Sequence, residues 1–424
     1  RVRFTAAWSL SGRVVLIMHP LPFFALPFFA LAFAALAPGH AAHAAEKNTH
    51  AHIGMGTGAD RTAQAELGAH AAFDAQGGLW AAHKVSGHIA VSRSDDRGRS
   101  WLNPVLVTAA PEPTDTGGDA RPKIALGPAG EIYLTWTRPL AKPYTGEIKF
   151  TRSLDGGRTF STPAIVHRDR QEITHRFDSI VVNGKGQVIV AWIDKRDLVA
   201  AAAAKAPAYR GAAVYFAVSD DRGATFRGDY KLADHSCECC RIALVRHEDG
   251  GVTAMWRHIF EPNIRDHAVA QLFPDGRAGP MRRVSFENWR IDACPHHGPS
   301  LVEDAQRRLH AVWFSAAPQQ QGVHYARLRD GGNEAHRRVG GEAAAHADLA
   351  VLGPRVVIAW KEFDGERTRL RALRSNDGGE SWQEHELAAT AGSSDQPRVL
   401  TFGGDFHVFW NTRERPLSMS ILPP

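Results

Sequence analysis

Cysteine, methionine and tyrosine are scarce in this chain of 424 residues, at 4, 5 and 6 copies. In an exported chain the first reading of four cysteines is two disulfides, and no Cys-x-x-Cys-His segment is present to attach haem covalently. Long runs of one charge are missing as well. The formal charge of +5 falls to about +2 once Arg1, Arg3 and Arg13 are set aside with a leader, and no basic run remains to track a phosphate backbone. Nucleic acid is therefore not an expected partner. Disorder is excluded by 44% hydrophobic against 22% charged residues. What the chain has in quantity is turn residues. Its 39 glycines and 24 prolines are spread along the length, which points to many short strands rather than a helical bundle.

Leu21 to Ala37 form the one long apolar run, short for a membrane span, with Arg13 on its amino side. Ala42-His43-Ala44 has the small-x-small form of a signal peptidase site, so residues 1–44 are expected to be a signal peptide and Ala45 the mature start. Met18 is a candidate initiator. No cysteine follows the run to carry a lipid, and no later stretch is long and apolar enough to cross a bilayer. The expected product is a periplasmic or secreted monomer, with a flexible segment over 45–66 and a single domain over 67–424.

That domain is repetitive. The octapeptide Ser-x-Asp-x-Gly-x-Ser/Thr-aromatic occurs four times, beginning at Ser94, Ser153, Ser219 and Ser375. In each, Asp and Ser can bond back to the local backbone, Gly can take a left-handed turn, and the ring can pin the loop. Strand pairs such as KIALGPAGEIYLTW and SIVVNGKGQVIVAW recur as well, closing on Trp136, Trp192, Trp256, Trp313, Trp360 and Trp410. An earlier copy has His83 at that place, which makes seven units of about 50–60 residues, the period of a β-propeller. The prediction is an all-β propeller of four-stranded antiparallel blades. The last unit lacks an outer strand, which residues before His70 would supply.

The octapeptides resemble the Asp-box, or bacterial neuraminidase repeat, of the sialidase superfamily, over nearly the whole mature chain. The resemblance is specific for fold and weakly so for activity. Sialidase propellers have six blades, so six stands as the alternative to the seven counted here. A further resemblance, carried by Cys-x-Cys-Cys, Ile264-Arg265-Asp266 and the Trp289 to Pro299 segment, is to exported bacterial Asp-box proteins, and it implies that the two cysteine segments form one site.

In a propeller the residues just before each innermost strand converge on one top-face funnel. Here they include Asp119, Arg121, Asp178, Cys237, Cys239, Cys240, Arg241, Cys294, His296, His297 and Arg398. Two readings of the cysteines stay open. One is a disulfide between the two loops. The other is a soft-metal site in which Cys237, Cys239, Cys240 and Cys294, with His296 or His297, hold copper or zinc. The expected ligand at the funnel is thus a small molecule, a glycan or a metal ion. Under the sialidase resemblance the alternative is a glycoside hydrolase acting on an anionic sugar, with Arg121, Arg241 and Arg398 clamping a carboxylate and Asp119 or Asp178 as acid. None of the six tyrosines lies in the last two units, where such an enzyme's nucleophile is expected. The loop from Asp194 to Arg210 could fold over the mouth as a helical lid or stand as a solvated insertion.

Overall fold

A computed structural model describes residues 66–205, 209–293, 295–330 and 332–422. The expected leader, most of the 45–66 segment and Cys294 lie outside the described residues. The chain forms seven antiparallel sheets in sequence order, six of four strands and a last one of three. It is a seven-bladed propeller, not a six-bladed one. The innermost strands are His70–Phe73, Lys123–Leu126, His175–Val182, Ala243–Arg246, Ser300–Glu303, Ala344–Leu352 and Arg398–Phe402. Each touches the next, and the last touches the first, so the ring is closed. In blade seven the described residues supply three strands. The amino end is tied there by single bonds: Asn411 Nδ2 donates to Leu67 O at 2.7 Å, and Ala69 N to Asp395 Oδ2 at 3.0 Å. No helix among the described residues is long and apolar enough to cross a membrane.

The hydrophobic core is not one mass but seven wedges, one in each seam between neighbouring blades. The alternation of the second strands explains this. One side of a sheet faces the preceding blade and the other the following one, so these strands are buried on both faces. Trp136, Trp192, Trp256 and Trp360 sit on them and are almost wholly buried. Burying a large apolar side chain contributes about 1.5–3 kcal/mol.

The four octapeptides join third and fourth strands, and each turn is built alike. Ser94 Oγ donates to Asp96 Oδ1 at 2.8 Å and accepts from Gly98 N at 2.7 Å, while Ser100 Oγ donates to Asp96 Oδ2 at 2.6 Å. These bonds, Ser100's foremost, hold the Asp96 carboxyl down to about 2. Beyond the turn, the loops fasten each blade to the one before it. Trp101 Nε1 donates to Leu417 O at 3.0 Å across the seam from blade one to blade seven. Phe226 of blade three meets Phe150 of blade two edge-on, with centroids 4.8 Å apart. Trp382 of blade six meets Tyr325 of blade five in the same way at 5.1 Å.

Two adjacent glycines separate turn conformation from seam packing. Gly156 and Gly157 both have positive φ, +72° and +81°, but a Cβ at Gly156 would meet nothing within 4 Å, whereas one at Gly157 would lie 2.7 Å from the Trp80 ring of blade one. Gly156→Ala should therefore cost only the left-handed penalty of about 1–2 kcal/mol. Gly157→Ala should cost roughly 1–3 kcal/mol more through overpacking. Urea unfolding of the two variants checks this, and equal losses would contradict the seam contact.

Candidate functional site

Neighbouring innermost strands share no hydrogen-bonded ladder, so their backbone and polar side chains must be satisfied across the seams by other means. The residues at the strand starts do this. Ile124 N donates to His70 Nδ1 at 3.3 Å, Ser179 Oγ to Ile242 O at 2.6 Å, and Ser300 Oγ to Asp348 Oδ1 at 2.5 Å. Val399 N donates to Asp348 Oδ2 at 2.9 Å. Many groups that the topology gathers at the mouth are thus stitches between blades.

Arg241 is the most connected of them. Its Nε donates to Pro299 O at 3.0 Å and its Nη2 to Ala347 O at 3.0 Å. Its Nη1 reaches Asp119 Oδ1 at 2.8 Å and Gln396 Oε1 at 2.6 Å. One guanidinium from blade four therefore binds blades two, five, six and seven. Asp119 also accepts from Gly298 N at 2.8 Å. Burial alone would raise its pKa, but Arg241 first, then His296, His297 and the Gly298 N–H, hold it below the ordinary value.

Arg121 is buried, and its guanidinium donates to Gly118 O, Ala69 O, Gln396 O, Gln396 Oε1 and Asp395 Oδ2. Arg398 Nη1 lies 3.5 Å from Asp348 Oδ2. Asp178 is wholly buried. Thr137 Oγ1 donates to its Oδ1 at 3.2 Å, and its Oδ2 has no hydrogen-bond partner. The five residues assigned to a hydrolase thus fall into three environments: Arg121, Arg241 and Asp119 in one bonded plug, Arg398 beside Asp348, and Asp178 buried beside the Lys123 ammonium. The channel encloses about 480 Å³.

Gln396 was not singled out by sequence, although it precedes an innermost strand as the others do. Its Oε1 accepts from both Arg121 and Arg241, and its Nε2 lies 2.9 Å from His346 Nδ1. His297 lies stacked between Phe314 and His346, with centroids 3.9 and 4.2 Å away. Burial takes His297 down to about 3 and His346 well below its usual value, and burial also lowers Lys361 to about 8. His296 is half-buried and tilted against Phe177 at 5.9 Å.

The Cys237, Cys239 and Cys240 thiols gather in the seam between blades three and four, against Phe177, Ala120 and Ile242. All three side chains are buried, and the three sulfurs lie within 4.8 Å of one another. Cys237 Sγ is 3.7 Å from Cys239 Sγ, and Cys239 Sγ 3.9 Å from Cys240 Sγ, so neither pair is bridged. Arg265 Nη1 donates to Cys237 Sγ at 3.4 Å. Hydrogen bonds from Cys239 and Cys240 hold the Cys237 thiol well below its usual value, aided by Arg257 and Arg265. Burial pushes Cys240 up.

Among the described residues, neither His296 nor His297 joins the sulfur cluster. The Trp289 to Pro299 segment is nevertheless built into its surroundings. Arg265 N donates to Trp289 O at 2.7 Å, Arg257 lies over the Trp289 ring at 4.8 Å, and Arg257 Nη2 donates to His297 O at 2.9 Å. The Asp194 to Arg210 loop contains a helix, Arg196–Ala203. Tyr215 OH donates to Asp197 Oδ2 at 2.8 Å and Lys231 Nζ to Asp197 Oδ1 at 2.7 Å, which ties the helix to the outer strands of its own blade.

No protein-family model matches the sequence, and no curated protein matches it. Among solved structures, a PL25 ulvan lyase covers 83% of this chain and 90% of its own, at 10% identity and a TM-score of 0.49. An α-L-arabinofuranosidase from Fusarium graminearum covers 84% and 92%, at 11% identity and 0.47. Trypanosoma rangeli sialidase in complex with sialic acid covers 74% and 54%, at 10% and 0.44.

Two predictions follow from the mouth. Arg241→Ala leaves the buried Asp119 carboxylate without its cation and should cost roughly 3–5 kcal/mol. The double variant Arg241→Ala/Asp119→Ala should be more stable than the sum of the two single losses implies, by about 0.5–3 kcal/mol; strict additivity in urea unfolding would contradict the pairing. The second concerns acid. A histidine whose folded pKa is depressed contributes stability above its unfolded pKa, and that stability is lost as pH falls from about 6.5 towards 3. His297→Phe, which keeps the stack, should flatten the decline between pH 6.5 and 5 by up to about 1.4 kcal/mol per pH unit. An unchanged slope would show that His297 protonates equally in both states.

Proposed function

We propose that the protein binds one Cu(I) ion through the thiolates of Cys237, Cys239 and Cys240, acting as an exported copper-binding propeller. The observation that carries this is the spacing of the sulfurs, 3.7 and 3.9 Å for the two measured pairs. Three sulfurs each about 2.3 Å from one ion would lie about 3.8–4.0 Å apart, so the cluster needs little rearrangement to accept a metal. Thiolates select Cu(I) or zinc. Charge favours copper. One Cu(I) with three thiolates carries two negative charges, and two guanidiniums, Arg257 and Arg265, stand next to the cluster.

The hydrolase reading has less support. Arg121 and Arg241 are engaged with protein acceptors, and Asp119 is held as a carboxylate by Arg241 and Gly298. Neither arrangement leaves an open carboxylate clamp or a protonated acid at the mouth.

Anaerobic titration of the reduced mature chain with Cu(I), against a chromophoric Cu(I) chelator, is expected to show one ion withheld per chain. Cys237→Ser and Cys240→Ser should each weaken retention by at least about tenfold. A chain that withholds no copper, or that holds zinc at unit ratio and copper not at all, would overturn the proposal.

A further inference from the structure

A second group of metal-ligating side chains lies in a different seam, between blades four and five. Glu287 comes from the segment leading into blade five, His324 from its third strand (Gly322–Arg329) and His336 from its outermost strand (Gly332–Val339). His324 Nδ1 is 3.3 Å from His336 Nε2. Glu287 Oε1 is 3.6 Å from His324 Nδ1 and 3.4 Å from His336 Nε2. Two nitrogens and an oxygen bound to one zinc-type ion at about 2.0–2.2 Å, at tetrahedral angles, would be separated by about 3.3–3.5 Å. The three atoms stand almost where such an ion would place them.

Each inner ligand is aimed by a second contact. His324 Nε2 lies 2.7 Å from Gln320 O, and since a carbonyl can only accept, Nε2 carries the proton and Nδ1 turns its lone pair to the cluster. Glu287 Oε2 accepts from Trp313 Nε1 at 3.1 Å, which leaves Oε1 facing the histidines. Outer contacts of this kind orient ligands in metal sites. Two ring nitrogens 3.3 Å apart share one proton in the metal-free chain, and an ion would replace it. His336 is 44% exposed, so an ion would have solvent on one side.

Comparison among blades separates scaffold from addition. Trp136 of blade two donates to Glu112 Oε1 at 2.7 Å, just as Trp313 does to Glu287, so the tryptophan–carboxylate pair is a repeated element. The residue facing the second-strand tryptophan across the ladder is Lys149, Tyr215, Ala268 and Arg371 in blades two, three, four and six. In blade five it is His324, with His336 beside it on the next strand.

We propose that Glu287, His324 and His336 form a binding site for a divalent transition-metal ion of the zinc type, with water completing a tetrahedron. The site is independent of the thiol cluster. Isothermal titration of the full mature chain with Zn²⁺ tests it. His324→Gln and His336→Gln are each expected to weaken one class of zinc site by at least about tenfold, and Trp313→Phe, which frees Glu287, to weaken the same class. Cys239→Ser should leave that class intact, so failure of the copper reading and failure of this one are distinguishable. His336→Gln alters a half-exposed residue on an outer strand, and an unchanged melting temperature without zinc verifies its fold. Co²⁺ in the site should give visible ligand-field bands that survive Cys239→Ser. An identical zinc isotherm in His324→Gln and His336→Gln would mean that the three residues are a hydrogen-bonded seam fastener only and would overturn the proposal, as would loss of all zinc binding in Cys239→Ser.

Discussion

The guanidinium of Arg241 is the interaction on which the top of this molecule depends. Blades that meet only along apolar seams leave the starts of their innermost strands with polar groups and no ladder to satisfy them. Arg241 resolves much of that need at one point, reaching four other blades through Asp119, Pro299, Ala347 and Gln396. Arg121 extends the network to blade one through Ala69 and to blade seven through Asp395. Arg121 with Asp395 and Arg241 with Asp119 satisfy one another at the mouth, and that part of the convergence is a keystone.

That keystone also sets the limits on where chemistry can occur. Asp119 holds Gly298 and Arg241 holds Pro299, which fixes the carboxyl end of the Trp289 to Pro299 segment. The amino end is fixed by Arg265 N on Trp289 O. Arg257 and Arg265 are thereby held against the thiol cluster, itself part of a seam core rather than of the open channel. A soft, desolvated pocket walled by two guanidiniums suits a monovalent ion with three thiolates better than it suits a saccharide.

Much of the fold was legible in the sequence because the propeller writes itself as a period. The second-strand tryptophans and the Ser-x-Asp-x-Gly turns recur at fixed places, and each depends on neighbours within a few residues. Convergence at the mouth was legible too, since topology alone decides which strand starts meet. Roles were not. Whether Arg121 faces a ligand or the carbonyl of Ala69 depends on the gap between blades, and no local pattern encodes that gap. Gln396 escaped notice because an uncharged amide carries no motif, although two arginines meet on its oxygen. His297 looked like an imidazole to complete the thiolates, but the aromatic slot between Phe314 and His346 takes its ring. The Glu287, His324 and His336 group needs the strand register of blade five before it can be seen at all.

The central claim is that copper, on the reading proposed here, is held by three sulfurs of a seam and not by the funnel's charged residues. X-ray absorption at the copper edge of the Cu(I)-loaded protein tests it most directly. The account predicts a first shell of sulfur alone, three scatterers at about 2.3 Å. A shell dominated by nitrogen or oxygen would place the ion among histidines and carboxylates, at the mouth or in the Glu287, His324 and His336 group, and contradict it.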